Sequence, residues 1–128
     1  MNNSLTLRIL IVDDEQLIRW SIAETLKSAG CLVSEASSAK ETVEQLTQQP
    51  APDVILLDYR LPDVNGLDLL RTIKRTVPAS QIVIITAYAT DDMAFEAMKL
   101  GAYRVVQKPI EMSDVVALAR AAYNSRPS

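Results

Sequence analysis

Four short stretches of this sequence carry residues that could do chemistry together: Asp13-Asp14-Glu15, Asp58, Thr86-Ala87 and Lys108-Pro109. Each stands at the end of a short, mainly apolar run: Ile9-Leu10-Ile11-Val12, Val54-Ile55-Leu56-Leu57, Ile82-Val83-Ile84-Ile85 and Val105-Val106-Gln107. Any one acid alone reads most simply as a solvated loop residue, since Asp is common at helix starts. The set reads differently. Carboxylates converging on one rim repel one another, and a hard divalent cation with oxygen ligands offsets them. Mg²⁺ fits, because it takes one or two carboxylates and keeps several waters. Carboxylates, Mg²⁺, a lysine and a hydroxyl are the parts of a phosphoryl-transfer site. An Asp can be the nucleophile and form an aspartyl phosphate. The metal and Lys108 would neutralise charge on the group in transit, and Thr86 would hydrogen-bond a phosphoryl oxygen.

What is missing narrows the chemistry further. The 128 residues include no His and one Cys, Cys31. A Ser-His-Asp triad, a His zinc site, a haem axial His and a Cys-His pair are excluded. An internal disulfide is impossible, and a lone Cys fits a reducing, cytoplasmic compartment. With 13 Lys+Arg against 16 Asp+Glu the formal charge is −3, and no basic block stands ready to neutralise nucleic-acid phosphates. No apolar run approaches the roughly 20 residues of a membrane span, and Met1-Asn2-Asn3-Ser4 is no signal peptide. At 48% hydrophobic and 23% charged, the composition is that of one ordinary globular domain.

The elements that must hold these residues follow from the punctuation by three Gly and six Pro. Leu7–Val12 is too short and too apolar for anything but a strand buried on both faces. Gln16–Ala29 puts Ile18, Ile22, Leu26 and Ala29 on one helical face, with Gly30 at the cap. Cys31–Ala36 reads as a more exposed strand. A capping box, Ser38 to Glu41, opens a second helix carrying Val43 and Leu46. Val54–Leu57 is a strand, Leu67–Thr76 a helix with Leu69, Leu70 and Ile73 inward, and Gln81–Ile85 a strand. Asp91 or Asp92 can cap a fourth helix through Ala94, Met98 and Leu100, closed by Gly101. Tyr103–Gln107 is the fifth strand, and Ser113–Tyr123 the last helix, with Val115, Val116, Leu118, Ala119 and Ala122. Five alternating β/α units predict a doubly wound parallel sheet with helices on both faces. In such sheets ligands bind beyond the carboxyl ends of the strands, where all the candidate residues stand. Trp20 is expected near the surface, Cys31 as a small core residue, and Met93 and Met98 in packing.

Four motifs stand in order along the chain: Ile9-Leu10-Ile11-Val12-Asp13-Asp14-Glu15; Leu56-Leu57-Asp58-Tyr59-Arg60-Leu61-Pro62-Asp63-Val64-Asn65-Gly66; Ile85-Thr86-Ala87-Tyr88; and Lys108-Pro109. Together they resemble the receiver domain of bacterial two-component response regulators, the CheY-like fold. The resemblance covers residues 7–123, leaving 1–6 as an N-terminal tail and 124–128 as the start of a linker or a C-terminal tail. It implies a five-stranded parallel sheet of order 2-1-3-4-5 with five helices, as in flavodoxin and CheY. It also implies that Asp58 is the phosphoacceptor. Asp14, Asp58 and the backbone carbonyl of Arg60 would ligate Mg²⁺, with Asp13 acting through a metal-bound water. Lys108 would contact the phosphoryl group, Thr86 would move toward it, and Lys108-Pro109 would be cis. Arg60 and Tyr88 stand where side chains tune dephosphorylation. The phosphoryl donor would be a sensor histidine kinase or phosphotransfer protein. The output face, and a possible homodimer contact, would be the fourth helix, fifth strand and fifth helix. Segments 61–67, 86–90 and 97–103 are similar to receivers of NtrC-type sigma-54-dependent regulators, whose ATPase and DNA-binding domains lie downstream; this points to control of transcription. A free-standing receiver would look the same.

One position departs from the pattern. Three residues before the lysine, where many receivers carry Tyr or Phe, this chain has Val105. Strand alternation would put Tyr103 on the same face as Val105, farther along. Either Tyr103 substitutes for the missing ring or the Thr86 shift is read through packing alone. Competing functions are an Asp-nucleophile phosphatase or phosphotransferase, flavodoxin-like cofactor binding, and a degenerate receiver that only binds partners. The first lacks sequence for a substrate-selecting cap, and Asp13-Asp14-Glu15 would repel the phosphate of the second.

Overall fold

The apolar runs 9–12, 54–57 and 82–85 form strands covered on both faces, while 105–107 lies in a half-buried edge strand. A computed structural model describes residues 6–127. In chain order it contains β1 (Arg8–Val12), α1 (Gln16–Ser28), β2 (Leu32–Ala36), α2 (Ala39–Gln48), β3 (Val54–Asp58), α3 (Gly66–Thr76), β4 (Gln81–Thr86), α4 (Asp91–Lys99), β5 (Arg104–Gln107) and α5 (Met112–Asn124). All strand pairs are parallel, and the order is β2-β1-β3-β4-β5, as expected. Of the expected N-terminal tail only Thr6 falls within the described residues; Ser128 lies outside them.

Alternation along the strands divides the apolar side chains between two cores. Leu10, Val12, Ile55, Leu57, Ile82 and Ile84 point to the side covered by α2, α3 and α4. Ile9, Ile11, Val54, Leu56, Val83 and Ile85 point to the side covered by α1 and α5. Nothing polar is left for solvent on β1, β3 or β4 except at their tips, which is why their sequences read as unbroken apolar runs. The tips are where polar residues begin: Asp58 ends β3 and Thr86 ends β4.

Several local readings are corrected. On α2 the inward residues are Thr42 and Leu46, while Val43 is exposed. Thr42 is tolerated inside because its hydroxyl donates to the Ser38 carbonyl at 2.8 Å. The helix opens on Ser38, whose Oγ accepts from Glu41 N–H at 3.1 Å, but Glu41 reaches back one residue farther than a capping box, to the Ser37 N–H at 2.7 Å. Asp63, from the β3–α3 loop, caps the same helix by accepting from the Ala39 and Lys40 N–H groups at 2.9 and 3.1 Å. The cap of α4 is Thr90, accepting from Met93 N–H at 3.1 Å; Asp91 and Asp92 instead fill the first turn. The buried pair on α4 is Met93 and Ala97, one turn apart, and Met98 is 48% exposed.

Tyr103 does not share a face with Val105. Val105 packs with the α2/α3/α4 core, and Tyr103 packs with Val106 against the α1/α5 core. The strand begins only at Arg104, so period-two alternation does not extend back to Tyr103, whose N–H donates to the Ile82 carbonyl at 2.7 Å. Tyr103 is therefore no stand-in for a ring at position 105. Trp20 is exposed, as expected. Cys31 is half-buried against the α1/α5 core, just ahead of β2.

Candidate functional site

The acidic rim begins where β1 runs out. Asp13 is buried at 3% exposure, and its N–H still pairs with the Ala36 carbonyl at 3.1 Å, extending the ladder by one residue. Its Oδ1 accepts from Glu15 N–H at 2.8 Å, which fixes the turn into α1. Its carbonyl accepts from Arg19 Nη1 at 2.6 Å, and Arg19 Nε pairs with Glu35 on β2 at 2.9 Å. One guanidinium thus ties α1 to β2 and to the rim. Asp14 is exposed beside the buried Asp13.

Asp58 arrives at the same rim from β3 and is only 6% exposed. Its Oδ1 accepts from Arg60 N–H at 3.1 Å. The Arg60 backbone is held a second time by an antiparallel bridge to Asn65, the residue whose side chain caps α3 by accepting from Asp68 N–H at 3.0 Å. Gly66 lets this loop fold so closely: a Cβ there would lie 2.7 Å from Tyr59 Cδ1 and 2.8 Å from the Tyr59 backbone.

Lys108 brings the cation. Its N–H donates to the Thr86 carbonyl at 2.7 Å, joining the tips of β5 and β4, and the Lys108-Pro109 bond is cis. Its ammonium reaches Asp13 Oδ2 at 3.0 Å, Glu15 Oε1 at 3.1 Å and Asp58 Oδ2 at 3.2 Å. Thr86 is fully buried, and its Oγ1 accepts from Tyr88 N–H at 3.3 Å. The Arg60 guanidinium, two residues past Asp58, stacks on the exposed ring of Tyr88, two residues past Thr86, 4.4 Å from its centroid. Asp13, Asp14, Asp58 and Lys108 are therefore brought together, and Thr86 joins them through the backbone.

The electrostatics reflect this crowding. Burial pushes the Asp58 carboxyl above its ordinary value; the Arg60 N–H pulls it down, Asp13 pushes it up again, and Lys108 opposes. Burial alone would lower Lys108, but hydrogen bonds to Asp13 and Glu15 more than reverse that and hold the ammonium firmly protonated. Asp13, Asp14 and Asp58 each offer a carboxylate oxygen within 4.8 Å of the others. An oxygen-only cluster of this size suits a hard divalent cation. A cleft of about 460 Å³ lined by Arg8, Leu32, Gln45 and Pro50 lies at the opposite ends of the strands and shares no residue with this cluster. Two participants were not foreseen in the sequence: Arg19, and Glu15 as a partner of Lys108. An arginine one turn after the acidic triplet was the available signal for the first.

Comparison with known proteins decides the family. The model for "Response regulator receiver domain" matches residues 9–120. The chain belongs to the response regulator receiver family. Among related receivers, that of the DNA-binding transcriptional regulator NtrC from Klebsiella pneumoniae is 38% identical over 108 residues, covering 84% of this chain and 23% of that protein. The chain spans about a quarter of the length of the NtrC regulators it matches. The crystal structure of a CheY-like receiver domain from Methanospirillum hungatei has a TM-score of 0.88 at 27% identity, covering 94% of this chain and 95% of that one. The solution structure of the beryllofluoride-activated NtrC4 receiver domain dimer has a TM-score of 0.85 at 31% identity, covering 91% of this chain and 96% of that one. As a receiver related to NtrC-type regulators, this chain is a two-component signalling domain and not a classical enzyme. No helix among the described residues is long and apolar enough to cross a membrane.

Proposed function

We propose that this receiver is a phosphorylation-driven switch that accepts a phosphoryl group on Asp58. The observation that carries the reading is the Lys108 ammonium held 3.2 Å from the Asp58 carboxylate, in a cluster where Asp13 and Asp14 also face the cation position. The chain has no His, so the phosphohistidine of a sensor kinase or a phosphotransfer protein would lie outside this chain. An Asp58 oxygen supplies the electron pair of the new O–P bond. The P–N bond to the donor imidazole breaks, its electrons stay on that nitrogen, and a proton carried on the ring's other nitrogen lets the imidazole leave neutral. With an acyl phosphate as donor, the P–O bond breaks and a carboxylate leaves.

Asp14, Asp58 and the Arg60 carbonyl would hold Mg²⁺ directly, and Asp13 through a water. Bound there, the ion supplies charge neutralisation for the phosphoryl oxygens. The chain's own residues do the rest. Lys108 meets the same charge with a fixed ammonium. Arg60 N–H orients the nucleophilic carboxylate. Thr86 stands at the end of β4, where its hydroxyl can turn from the Tyr88 N–H to an arriving phosphoryl oxygen. An aspartyl phosphate carries about −1.5 to −2 charge where the free carboxylate carried one, and its added charge and oxygens shift a two-state equilibrium toward the form with Thr86 drawn in. With Val105 in place of a ring, that movement is read through packing of the α4–β5–α5 face. Phe95 and Met98 are exposed on α4 and give this face apolar surface for an output partner or a second copy. Leu17 and Trp20 are exposed on α1 near the rim, where the kinase must approach. Slow loss of the phosphoryl group to water, tuned by Arg60 and Tyr88, resets the switch. In a protein organised like NtrC the output is transcription.

The test is an intact-mass time course with acetyl phosphate. One phosphoryl group is gained with Mg²⁺, little is gained in EDTA, and hydroxylamine removes it. A gain independent of Mg²⁺, or resistant to hydroxylamine, contradicts an acyl phosphate formed at this site.

A further inference from the structure

All three N–H donors of the Lys108 ammonium are directed to carboxylates, at 3.0, 3.1 and 3.2 Å, leaving no hydrogen free for a phosphoryl oxygen. The three acceptors differ in kind. Asp13 and Asp58 have side chains 5% and 6% exposed and belong to the candidate metal cluster. The Glu15 side chain is 57% exposed and stands at the start of α1, where it makes no capping bond to the helix. Its carboxylate is the acceptor that can let go at least cost, because it alone of the three returns to water, while the buried Lys108 keeps its bonds to Asp13 and Asp58.

We propose that Glu15 is a restraining residue: it holds Lys108 in the resting receiver and competes with the phosphoryl group for the same ammonium hydrogen. The inference rests on the reading of Asp58 as phosphoacceptor. Lys108 forms no bond in the transfer; it stabilises charge on the group as O–P forms at Asp58 and the donor bond breaks, with the electrons leaving on the donor. Glu15 opposes this twice over. It occupies one of the three donors, and its own negative charge faces the oxygens that arrive. Glu15 thereby sets how readily the domain is switched on, through an ion pair open to solvent and sensitive to salt.

The experiment compares full-length wild type, Glu15→Gln and Asp58→Asn with acetyl phosphate and Mg²⁺, following phosphoryl uptake by intact mass across a NaCl series. Glu15→Gln keeps the shape of the side chain and removes its charge. It is expected to accept the phosphoryl group about two- to fivefold faster than wild type at low salt, the range of an exposed ion pair, with the ratio falling toward one as NaCl is raised. A ratio of one or less at low salt overturns the restraint. So does a ratio above one that is unchanged by salt, which would reflect a steric effect of the substitution. Wild type and Asp58→Asn gaining the group alike would instead overturn the phosphoacceptor reading, and the restraint with it.

Discussion

Lys108 Nζ lies 3.2 Å from Asp58 Oδ2, although 50 residues separate the two in the chain. The contact exists because β3 and β5 both flank β4, so their carboxyl tips stand at one edge of the sheet. The Lys108 N–H bond to the Thr86 carbonyl sets the height of the lysine at that edge. Asp58 is thus a buried carboxylate with its counter-cation already in place, and under the proposed function the transferring charge would meet an organised site.

Metal binding should stabilise the fold. Asp13, Glu15 and Asp58 share one ammonium and Asp14 stands beside them, so a divalent cation relieves repulsion. At a hundredfold excess over its Kd, Mg²⁺ is expected to add about 2.7 kcal/mol, a Tm rise of several degrees. Asp14→Asn should lose most of that rise. Thermal melts of both proteins with Mg²⁺ and with EDTA make the comparison; an equal rise in the two would contradict the cluster as the binding site.

Without metal, Asp58 should weaken the fold at neutral pH. Its carboxyl is pushed above the ordinary range, mainly by burial. Between the unfolded value of about 3.9 and the raised folded value, the folded state binds more protons than the unfolded chain. Stability from this group therefore falls as pH rises through that window, and the penalty is complete above it. Asp58→Asn removes the penalty. Urea midpoints in EDTA should show the variant more stable than wild type at pH 7, with the difference closing below about pH 4. A wild type at least as stable at pH 7 would contradict the direction.

Arg19 should support the rim at a distance. Its guanidinium accounts for the Asp13 carbonyl and the Glu35 carboxylate at once. Lysine keeps the charge and loses the fork. Arg19→Lys is expected to weaken Mg²⁺ binding by about tenfold, the usual size for an outer partner of a metal ligand. Calorimetric titration reads this directly, and an unchanged Mg²⁺ affinity would limit Arg19 to packing.

Gly66 should tolerate no side chain. A Cβ would meet the Tyr59 backbone at 2.8 Å, and backbone cannot step aside as a flexible side chain can. Gly66→Ala is expected to cost about 1–3 kcal/mol, as overpacking does, and to disturb the Arg60 N–H that holds Asp58. A urea midpoint equal to wild type would show that the loop has room.

Much of this was legible in the sequence. Unbroken apolar runs ending in Asp, Thr or Lys gave both the strands and the rim, because strands covered on two faces can turn polar only at their tips. The helices were less legible. On α2 and α4 the residue facing the core is one position away from the more apolar candidate: Thr42 beside Val43, and Ala97 beside Met98. Backbone geometry and the cap choose the face, and a threonine bonded to its own helix can be buried. Tyr103 was misplaced because alternation was carried one residue beyond the strand. Arg19 left only the faint signal of an arginine one turn after the acidic triplet, and the Glu15–Lys108 pair left none, since both depend on long side chains meeting across elements.

The central claim is that Asp58 receives the phosphoryl group, and peptide mapping of the phosphorylated protein tests it most directly. After acetyl phosphate and Mg²⁺, borohydride reduction converts an aspartyl phosphate to homoserine, which tandem mass spectrometry locates. Homoserine at position 58 in wild type, with no phosphoryl gain in Asp58→Asn, is the expected result. Homoserine at another position, or equal phosphoryl gain in the two proteins, would contradict the account.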